Sequence, residues 1–184
     1  MPPPRTCEPK GPGYTIKGHT VGWMGWSFED TTRMMRGPAK LYVKFQNQRI
    51  AYEIALNYIV LIYGSESFER ENVFYTDSIY GIGGYSGTIP GVDCPEHGNL
   101  LDTSYYHANT GQAVTTKSIC IFESDGEGPL WRHKANGYQS GLRDTCLIVR
   151  MASTIGNYDY VVEFHFKLDG KLMTKVKATG QIAT

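Results

Sequence analysis

The feature that most limits the fold is a regular alternation of side chains near the C-terminal end. The even-numbered positions are apolar or aromatic: Tyr158, Tyr160, Val162, Phe164, Phe166 and Leu168. The odd-numbered positions Asp159, Glu163, His165 and Lys167 are polar, with Val161 as the exception. Because successive side chains of a strand point to opposite faces, this pattern predicts a half-buried β-strand with Tyr158 facing inward. The same pattern places His165 on the outer face, where we expect it to be solvated.

A turn at Asp169-Gly170 then leads into a second strand. A two-residue loop would bring Lys171, Met173, Lys175 and Lys177 onto the buried face. A three-residue loop over residues 168–170, with its glycine left-handed, instead pairs Phe166 with Leu172 and Val162 with Val176. We predict the three-residue loop, because it keeps lysines out of the core.

Composition supports an all-β protein. The chain has 184 residues, enough for a substantial core, and its 13 tyrosines and 21 glycines are typical of aromatic strands separated by turns. Lysine plus arginine and aspartate plus glutamate both total 18, so no net charge favours nucleic acid or an anionic membrane. No apolar run approaches the roughly 20 residues of a transmembrane helix. The first residues also lack the apolar centre of a signal peptide, so the sequence predicts a soluble protein of unknown location.

Proline and glycine divide the chain into a lead-in, residues 1–19, and one domain, residues 20–184. Strands are predicted within 21–32 and 41–45 and around Cys120 and Cys146, with a turn at 46–49 and a turn-rich stretch at 81–91. Residues 50–63 fit a buried strand, a short helix, or a strand followed by a helical turn.

Two motifs point to one chemistry. Residues 154–160 read Thr-Ile-Gly-Asn-Tyr-Asp-Tyr and resemble the T-x-x-N-Y-[DE]-Y signature of copper amine oxidases. In that family the first tyrosine of N-Y-D-Y, here Tyr158, is oxidised by copper and oxygen to topaquinone. Residues 75–83 resemble the family's Y-x-D-[SAT]-x-x-G-x-G stretch, whose aspartate, here Asp77, removes the α-proton of the substrate bound as a topaquinone Schiff base. Asp77 lies 81 residues before Tyr158, close to the family's spacing.

The resemblance assigns further roles. Tyr63 matches the tyrosine that hydrogen-bonds the quinone, and Tyr75 matches the residue that gates substrate access. We read Asn157 as a buried group that helps to orient the ring, and Thr154 as lining the pocket of the precursor. Each residue has a plainer explanation: a core or rim tyrosine, a turn aspartate, a strand-end asparagine or an ordinary strand threonine. The order and spacing of all of them together favour the family.

More blocks agree, at 45–54, 91–95, 128–133 and 178–180, and they look closest to the animal diamine oxidase and vascular adhesion branch. The resemblance implies an antiparallel β-sandwich, copper and topaquinone as cofactors, a primary amine and O2 as substrates, and a homodimer. It also implies a disulfide between Cys94 and Cys120 and a secreted, extracellular protein. Cys146 lies in an apolar strand and is predicted to be a buried free thiol, whereas Cys7 has no clear partner.

The histidines depart from the family pattern. Family members bind copper through an H-x-H about fifty residues beyond the quinone tyrosine and a third histidine further on, whereas this chain has 26 residues after Tyr158 and ends at Thr184. None of its five histidines falls at a ligand position: His19, His97, His107, His133 and His165. The resemblance therefore implies that the histidine ligands lie downstream of Thr184, with no metal ligand in this chain.

Two expectations follow from the missing ligands. Without copper beside it, Tyr158 should remain an unconverted tyrosine, and the chain should be the first part of an incomplete catalytic domain. The alternative is a non-catalytic β-sandwich module for binding or adhesion, derived from the same family. An H-x-H about 25 residues beyond Thr184 would favour the enzyme.

Overall fold

Antiparallel strands form nearly all of the protein. The computed structural model describes residues 11–57, 60–62, 74–76, 81–106 and 110–181, with residues 60–62, 74–76 and 127 described by their backbone only. Two five-stranded sheets and one two-stranded sheet account for the strands in these ranges. The predicted all-β, antiparallel fold is therefore confirmed. No helix in the described ranges is long and apolar enough to cross a bilayer.

The first sheet is a meander in which each strand pairs with the next. Its strands are β1 (Thr15–Lys17), β2 (Thr20–Trp23), β3 (Trp26–Arg33), β4 (Gly37–Phe45) and β5 (Gln48–Ala55). The turn between β4 and β5 has positive φ at both Gln46 and Asn47, as in a type I′ hairpin. This confirms the turn predicted there and shows that the ambiguous segment from residue 50 begins as strand.

Two short elements follow the first sheet. Strands β6 (Val60–Ile62) and β7 (Phe74–Thr76) pair antiparallel, and a 3-10 turn covers Ile82–Tyr85. The 3-10 turn contacts both large sheets: it touches β3 and β4 on one side and a long strand of the second sheet on the other. It is therefore placed to connect the two sheets near one end of the core.

The second sheet has the order β12-β11-β10-β9-β8. Its strands are β8 (Asn99–Tyr106), β9 (Ala113–Ala135), β10 (Tyr138–Ile155), β11 (Tyr158–Lys167) and β12 (Leu172–Gly180). The strands predicted around Cys120 and Cys146 are the inner parts of β9 and β10. Beyond them the two strands continue as a ribbon, residues 125–143, in which they pair with each other.

The hairpin of β11 and β12 has the predicted three-residue loop. Phe166 lies opposite Leu172 and Val162 opposite Val176, and Gly170 has a φ of +85°. The backbone N–H of Lys167 donates to the carbonyl of Lys171 at 2.9 Å and closes the loop. This register leaves the lysines of β12 off the core.

The main core lies between the two large sheets. Phe28 of β3 stacks on Phe166 of β11 with ring centroids 4.2 Å apart, and the Trp26 indole donates to the carbonyl of Lys167 at 2.8 Å. Phe164 and Val162 are also buried here, which confirms the inward face predicted for β11. A fully buried ion pair, Asp30 with Lys40, lies in the same layer with the lysine over the Phe164 ring.

The outer face of β11 differs from the prediction. His165 is buried rather than solvated, and so is its neighbour Glu163. Glu163 accepts hydrogen bonds from Arg150 at 2.8 Å, His165 at 2.7 Å and Lys177 at 2.9 Å. Arg150 and Lys177 belong to the strands on either side, so long side chains from both neighbours cover this face. The prediction was wrong because alternation within one strand carries no information about what covers its polar face.

Candidate active site around Tyr158

Tyr158 is placed by a tight hairpin. It is the first residue of β11 and lies opposite Ile155, the last residue of β10, across the two-residue loop Gly156-Asn157. Gly156 has a φ of +60° and Asn157 does not have a positive φ, the pattern of a type II′ turn with glycine first. The Tyr158 side chain is half-buried and packs against an apolar cluster formed by Ile82, Met151, Ile155 and Tyr160. The predicted inward direction of Tyr158 is thus seen in the structure.

On the side away from β10, a glycine of β12 lies close to the backbone of Tyr158. Gly180 of β12 lies opposite Tyr158 with a φ of +105°. A Cβ at this position would lie 2.4 Å from the carbonyl oxygen of Asn157 and 2.9 Å from the Cα of Tyr158. The N–H of Gln181 then donates to that same carbonyl at 2.8 Å. The backbone around Tyr158 is therefore enclosed on both sides, and one side tolerates no side chain.

Two residues of the Tyr158 motif are exposed rather than buried beside the ring. Asn157 is exposed, not buried as we expected, because it occupies the hairpin loop itself. Thr154 is exposed as well, and its hydroxyl donates to Asp159 Oδ1 at 2.6 Å. Thr154 and Asp159 are a cross-strand pair, and Ile155 and Tyr158 are the next pair, so the two pairs face opposite sides of the hairpin. In the structure Thr154 holds the residue after Tyr158 from the outer face.

Three other predicted site residues lie, in sequence, within strands β6 and β7 or next to them. Tyr75 is the middle residue of β7, opposite Leu61 of β6, and only its backbone is described. Tyr63 and Asp77 lie outside the described residues. The convergence of Asp77, Tyr63 and Tyr75 on Tyr158 accordingly stays a prediction.

The segment that follows Asp77 in sequence is held against the Tyr158 hairpin by residues that sequence reasoning missed. Ser153 of β10 is buried, and its hydroxyl donates to the carbonyl of Ile82 at 2.7 Å. Gly83 approaches the first sheet so closely that a Cβ would lie 2.1 Å from the Arg33 carbonyl oxygen. A hydroxyl among the apolar inward residues of β10 was the available signal for Ser153, and the second glycine of G-x-G was the signal for Gly83.

Three of the four cysteines are as predicted, and Cys7 lies outside the described residues. Cys94 and Cys120 form a disulfide with Cα atoms 5.6 Å apart, as the resemblance implied. Cys146 is a buried free thiol, and burial raises its pKa to about 11. A thiol with so high a pKa is hardly ionised at neutral pH and is a poor nucleophile.

The described residues do not fit a copper site. Across the ranges that the structure describes, no group of three or more histidine, cysteine, aspartate or glutamate side chains could hold a metal ion. The buried histidine, His165, is committed to Glu163 and lies 3.6 Å from the Cys146 sulfur, on the sheet face opposite to Tyr158.

The expected position of the copper ligands is not reached by the structure. The described part of the chain ends at Gln181, so Thr184 itself lies outside the described residues. The expectation that the family's histidine ligands follow Thr184 accordingly stays a prediction, as does the expectation that Tyr158 is unconverted in this chain.

Comparison with known proteins decides the family. The model of the copper amine oxidase enzyme domain matches residues 15–184. The chain belongs to the copper amine oxidase family. Human copper-containing diamine oxidase is 33% identical over 186 residues, which cover 97% of this chain and 25% of that protein. A copper amine oxidase of Bipolaris victoriae is 35% identical, and the match covers 99% of this chain and 26% of that protein.

Solved structures agree with this assignment. The crystal structure of Pichia pastoris lysyl oxidase matches with a TM-score of 0.91 and 33% identity, covering 98% of this chain and 25% of that one. An Aspergillus nidulans amine oxidase matches with a TM-score of 0.89 and 32% identity, covering 97% and 24%. This copper amine oxidase chain thus spans about a quarter of the length of the relatives it matches.

Proposed function

We propose that this chain is the N-terminal portion of the catalytic domain of a primary-amine oxidase, in which Tyr158 is the precursor of topaquinone. The reaction is oxidative deamination: a primary amine and O2 give an aldehyde, ammonia and hydrogen peroxide. The observation that carries the proposal is the placement of Tyr158. Its motif forms a tight hairpin, its ring packs on an apolar cluster, and Gly180 leaves its backbone little room to move. A ring held still is what a self-derived cofactor requires.

The other residues act on the substrate or on the ring. In this proposal the Asp77 carboxylate takes the α-proton of the bound amine, Tyr75 controls access, and Tyr63 orients the ring. Asn157 and Thr154 would act from the loop and the outer face, since both side chains are exposed. The Thr154 hydroxyl holds Asp159, and this bond restrains the first residues of β11. When bound, copper and O2 supply the oxidising chemistry, and the copper ligands would be histidines downstream of Thr184.

A homodimer is part of the same proposal. The β9–β10 ribbon, residues 125–143, exposes several large apolar side chains, of which Trp131 is 48%, Tyr138 56% and Leu142 47% accessible. Trp131 and Leu142 are directly opposite each other, so they form one apolar surface. A contiguous exposed surface of this kind is typical of an interaction site, and we assign it to a second copy of the chain.

Peptide mapping tests the function in the copper-loaded whole protein, meaning a polypeptide that continues beyond Thr184 and carries the family's H-x-H. Tyr158 should carry the mass of a quinone and stain for it, and peroxide should form with a primary amine. Tyr158→Phe should abolish both, whereas Tyr106→Phe, which removes the hydroxyl of a 74% exposed side chain on β8, should leave both unchanged. An unmodified Tyr158 in copper-loaded protein would favour the non-catalytic module instead.

A further inference from the structure

We infer that Ser153 is a positioning residue, which fixes the segment after Asp77 against the hairpin that carries Tyr158. The inference rests on the proposed function, because that assigns the base to Asp77 and the quinone precursor to Tyr158. It concerns the described segment from Gly81 to Gly87, which we call the clamp segment. Neither Ser153 nor its partner Ile82 touches the reacting atoms in this scheme; both act through the backbone.

The contact between β10 and the clamp segment is buried and directional. Ser153 is 1% and Ile82 0% exposed, and the serine hydroxyl donates to the isoleucine carbonyl at 2.7 Å. Ser86 forms a β-bridge with Ser153, and the N–H of Gly87 donates to the carbonyl of Ala152 at 3.2 Å. A buried carbonyl left without its donor is unfavourable because it has lost its water without gaining a partner. The hydroxyl of Ser153 therefore contributes both stability and a fixed geometry at this point.

The opposite side of the clamp segment is held by the turn between β3 and β4. The N–H groups of Gly83 and Gly84 both donate to the carbonyl of Met34, at 2.8 Å and 3.2 Å. Gly83 has no room for a side chain, as its Cβ would overlap the Arg33 carbonyl group. The hydroxyl of Tyr105 adds a bond to the Gly84 carbonyl at 2.8 Å. The clamp segment is consequently enclosed between the two sheets and cannot shift toward either without losing bonds.

This enclosure joins the clamp segment, which follows Asp77 in sequence, to the hairpin that carries Tyr158. Ile82 packs in the same apolar cluster as Tyr160, and Tyr158 packs against that cluster. Ser153 is five residues from Tyr158 on the same hairpin, and Gly81 is four residues from Asp77. The Ser153 bond thus fixes the described part of the chain that begins four residues after Asp77 in sequence. Because misplacement by about 1 Å can cost roughly a hundredfold in rate, the Ser153 bond is expected to matter for proton abstraction.

The first test measures the clamp without reference to activity. Hydrogen exchange of the whole protein is compared for the parent, Ser153→Ala and Ser118→Ala. Ser118 is the matched control, since its hydroxyl is also buried on a strand of the second sheet but bonds Thr103 instead. We expect the amides of Gly83, Gly84 and Gly87 to exchange about tenfold faster in Ser153→Ala only. Equal protection of these amides in Ser153→Ala and Ser118→Ala overturns the inference.

The second test separates positioning from cofactor formation in the copper-loaded enzyme. Ser153→Ala should keep its quinone content by phenylhydrazine titration. Its kcat should fall about ten- to a hundredfold. The kinetic isotope effect on kcat, measured with an α-deuterated amine, should be at least as large as in the parent. Ser118→Ala should keep the parent kcat; parental turnover in Ser153→Ala overturns the inference.

Two further outcomes are decided by the same variants. If the parent contains no quinone, the proposed function fails, and the exchange experiment still decides whether Ser153 fixes the clamp segment. Should Ser153→Ala not fold, Ser153→Cys replaces it, because its thiol fills the site but donates only weakly. Its clamp-segment amides should again exchange faster, and its kcat should again be lower, than in the parent and in Ser118→Ala.

Discussion

Gly180 and Tyr158 lie directly opposite each other on β12 and β11, and no side chain fits between their backbones. A Cβ on Gly180 would lie 2.9 Å from the Tyr158 Cα and 3.0 Å from the Asp159 nitrogen. The φ of Gly180, +105°, is also one that residues with a Cβ avoid. Strand β12 can therefore approach Tyr158 this closely only because residue 180 has no side chain.

Gly180→Ala should destabilise the protein and displace Tyr158. Strain at such a φ costs about 1 to 3 kcal/mol, and the overlap with the Asn157 carbonyl adds to it. Chemical denaturation gives the loss in free energy of unfolding, and quinone titration of the copper-loaded protein gives the effect on Tyr158. Gly137→Ala is the matched control, since Gly137 has a φ of +75° but open space around its Cβ. Equal losses in the two variants would show that the close approach to Tyr158 carries no cost.

The Glu163 carboxylate should make the free energy of unfolding depend on pH. Burial by itself raises the pKa of Glu163, but hydrogen bonds from His165 and Lys177 and the charge of Arg150 outweigh it and lower the pKa to about 2. The folded-state pKa is below the ordinary value of 4.5, so this stabilisation is present above about pH 4.5 and is lost as pH falls toward 2. A shift of this size corresponds to about 3 kcal/mol.

Glu163→Gln should therefore lower the free energy of unfolding at pH 6 and make much less difference at pH 3. Urea unfolding of parent and variant at both pH values measures this. Glu29→Gln, which changes an exposed carboxylate on β3, should have little effect at either pH. A Glu163→Gln deficit that is the same at pH 3 as at pH 6 would contradict the ionised network.

Asp77→Asn tests the proposed base. In the copper-loaded whole protein it should leave quinone formation largely intact, because Asp77 is assigned to turnover only. Amine oxidation should fall about 10²- to 10⁴-fold, the usual contribution of a general base. Quinone titration and peroxide release are measured on the same preparation, with Asp102→Asn, an exposed change on β8, as the control. If Asp77→Asn oxidised amines at the parental rate, Asp77 would not be the general base.

The last prediction concerns the 184 residues expressed by themselves. Three nitrogen ligands at fixed geometry make copper able to oxidise a tyrosine, and we expect these ligands downstream of Thr184. Copper added aerobically should then produce no quinone stain, and a longer polypeptide that carries the family's H-x-H should gain copper and quinone together. A positive stain at Tyr158 in the 184-residue chain would mean that its own residues, or those of a second copy, supply the ligands.

Local pattern was sufficient for several parts of the fold. The period-two alternation of β11 depends only on which side chains avoid water, and it correctly predicted the buried Val162, Phe164 and Phe166. The loop at Gly170 followed because one register buries lysines and the other does not. The Cys94–Cys120 disulfide followed from family resemblance. The ribbon of β9 and β10 was missed because glycine and Pro129 interrupt the strand pattern there, while pairing across the hairpin holds the backbone extended.

Non-local contacts decided the rest. Glu163 and His165 look solvated in sequence, but Arg150 and Lys177 reach over them from neighbouring strands and replace water with hydrogen bonds. Ser153 bonds to Ile82, which lies 71 residues earlier in the chain. A local sequence pattern cannot reveal a contact between residues so far apart. The same holds for Gly180: its sequence block suggests a family feature, yet only the approach of β12 to Tyr158 explains why a glycine stands there. The amino-acid order determined the inward face of β11 and the loop that follows it, and the packing of strands against one another determined which polar residues are buried and what surrounds Tyr158.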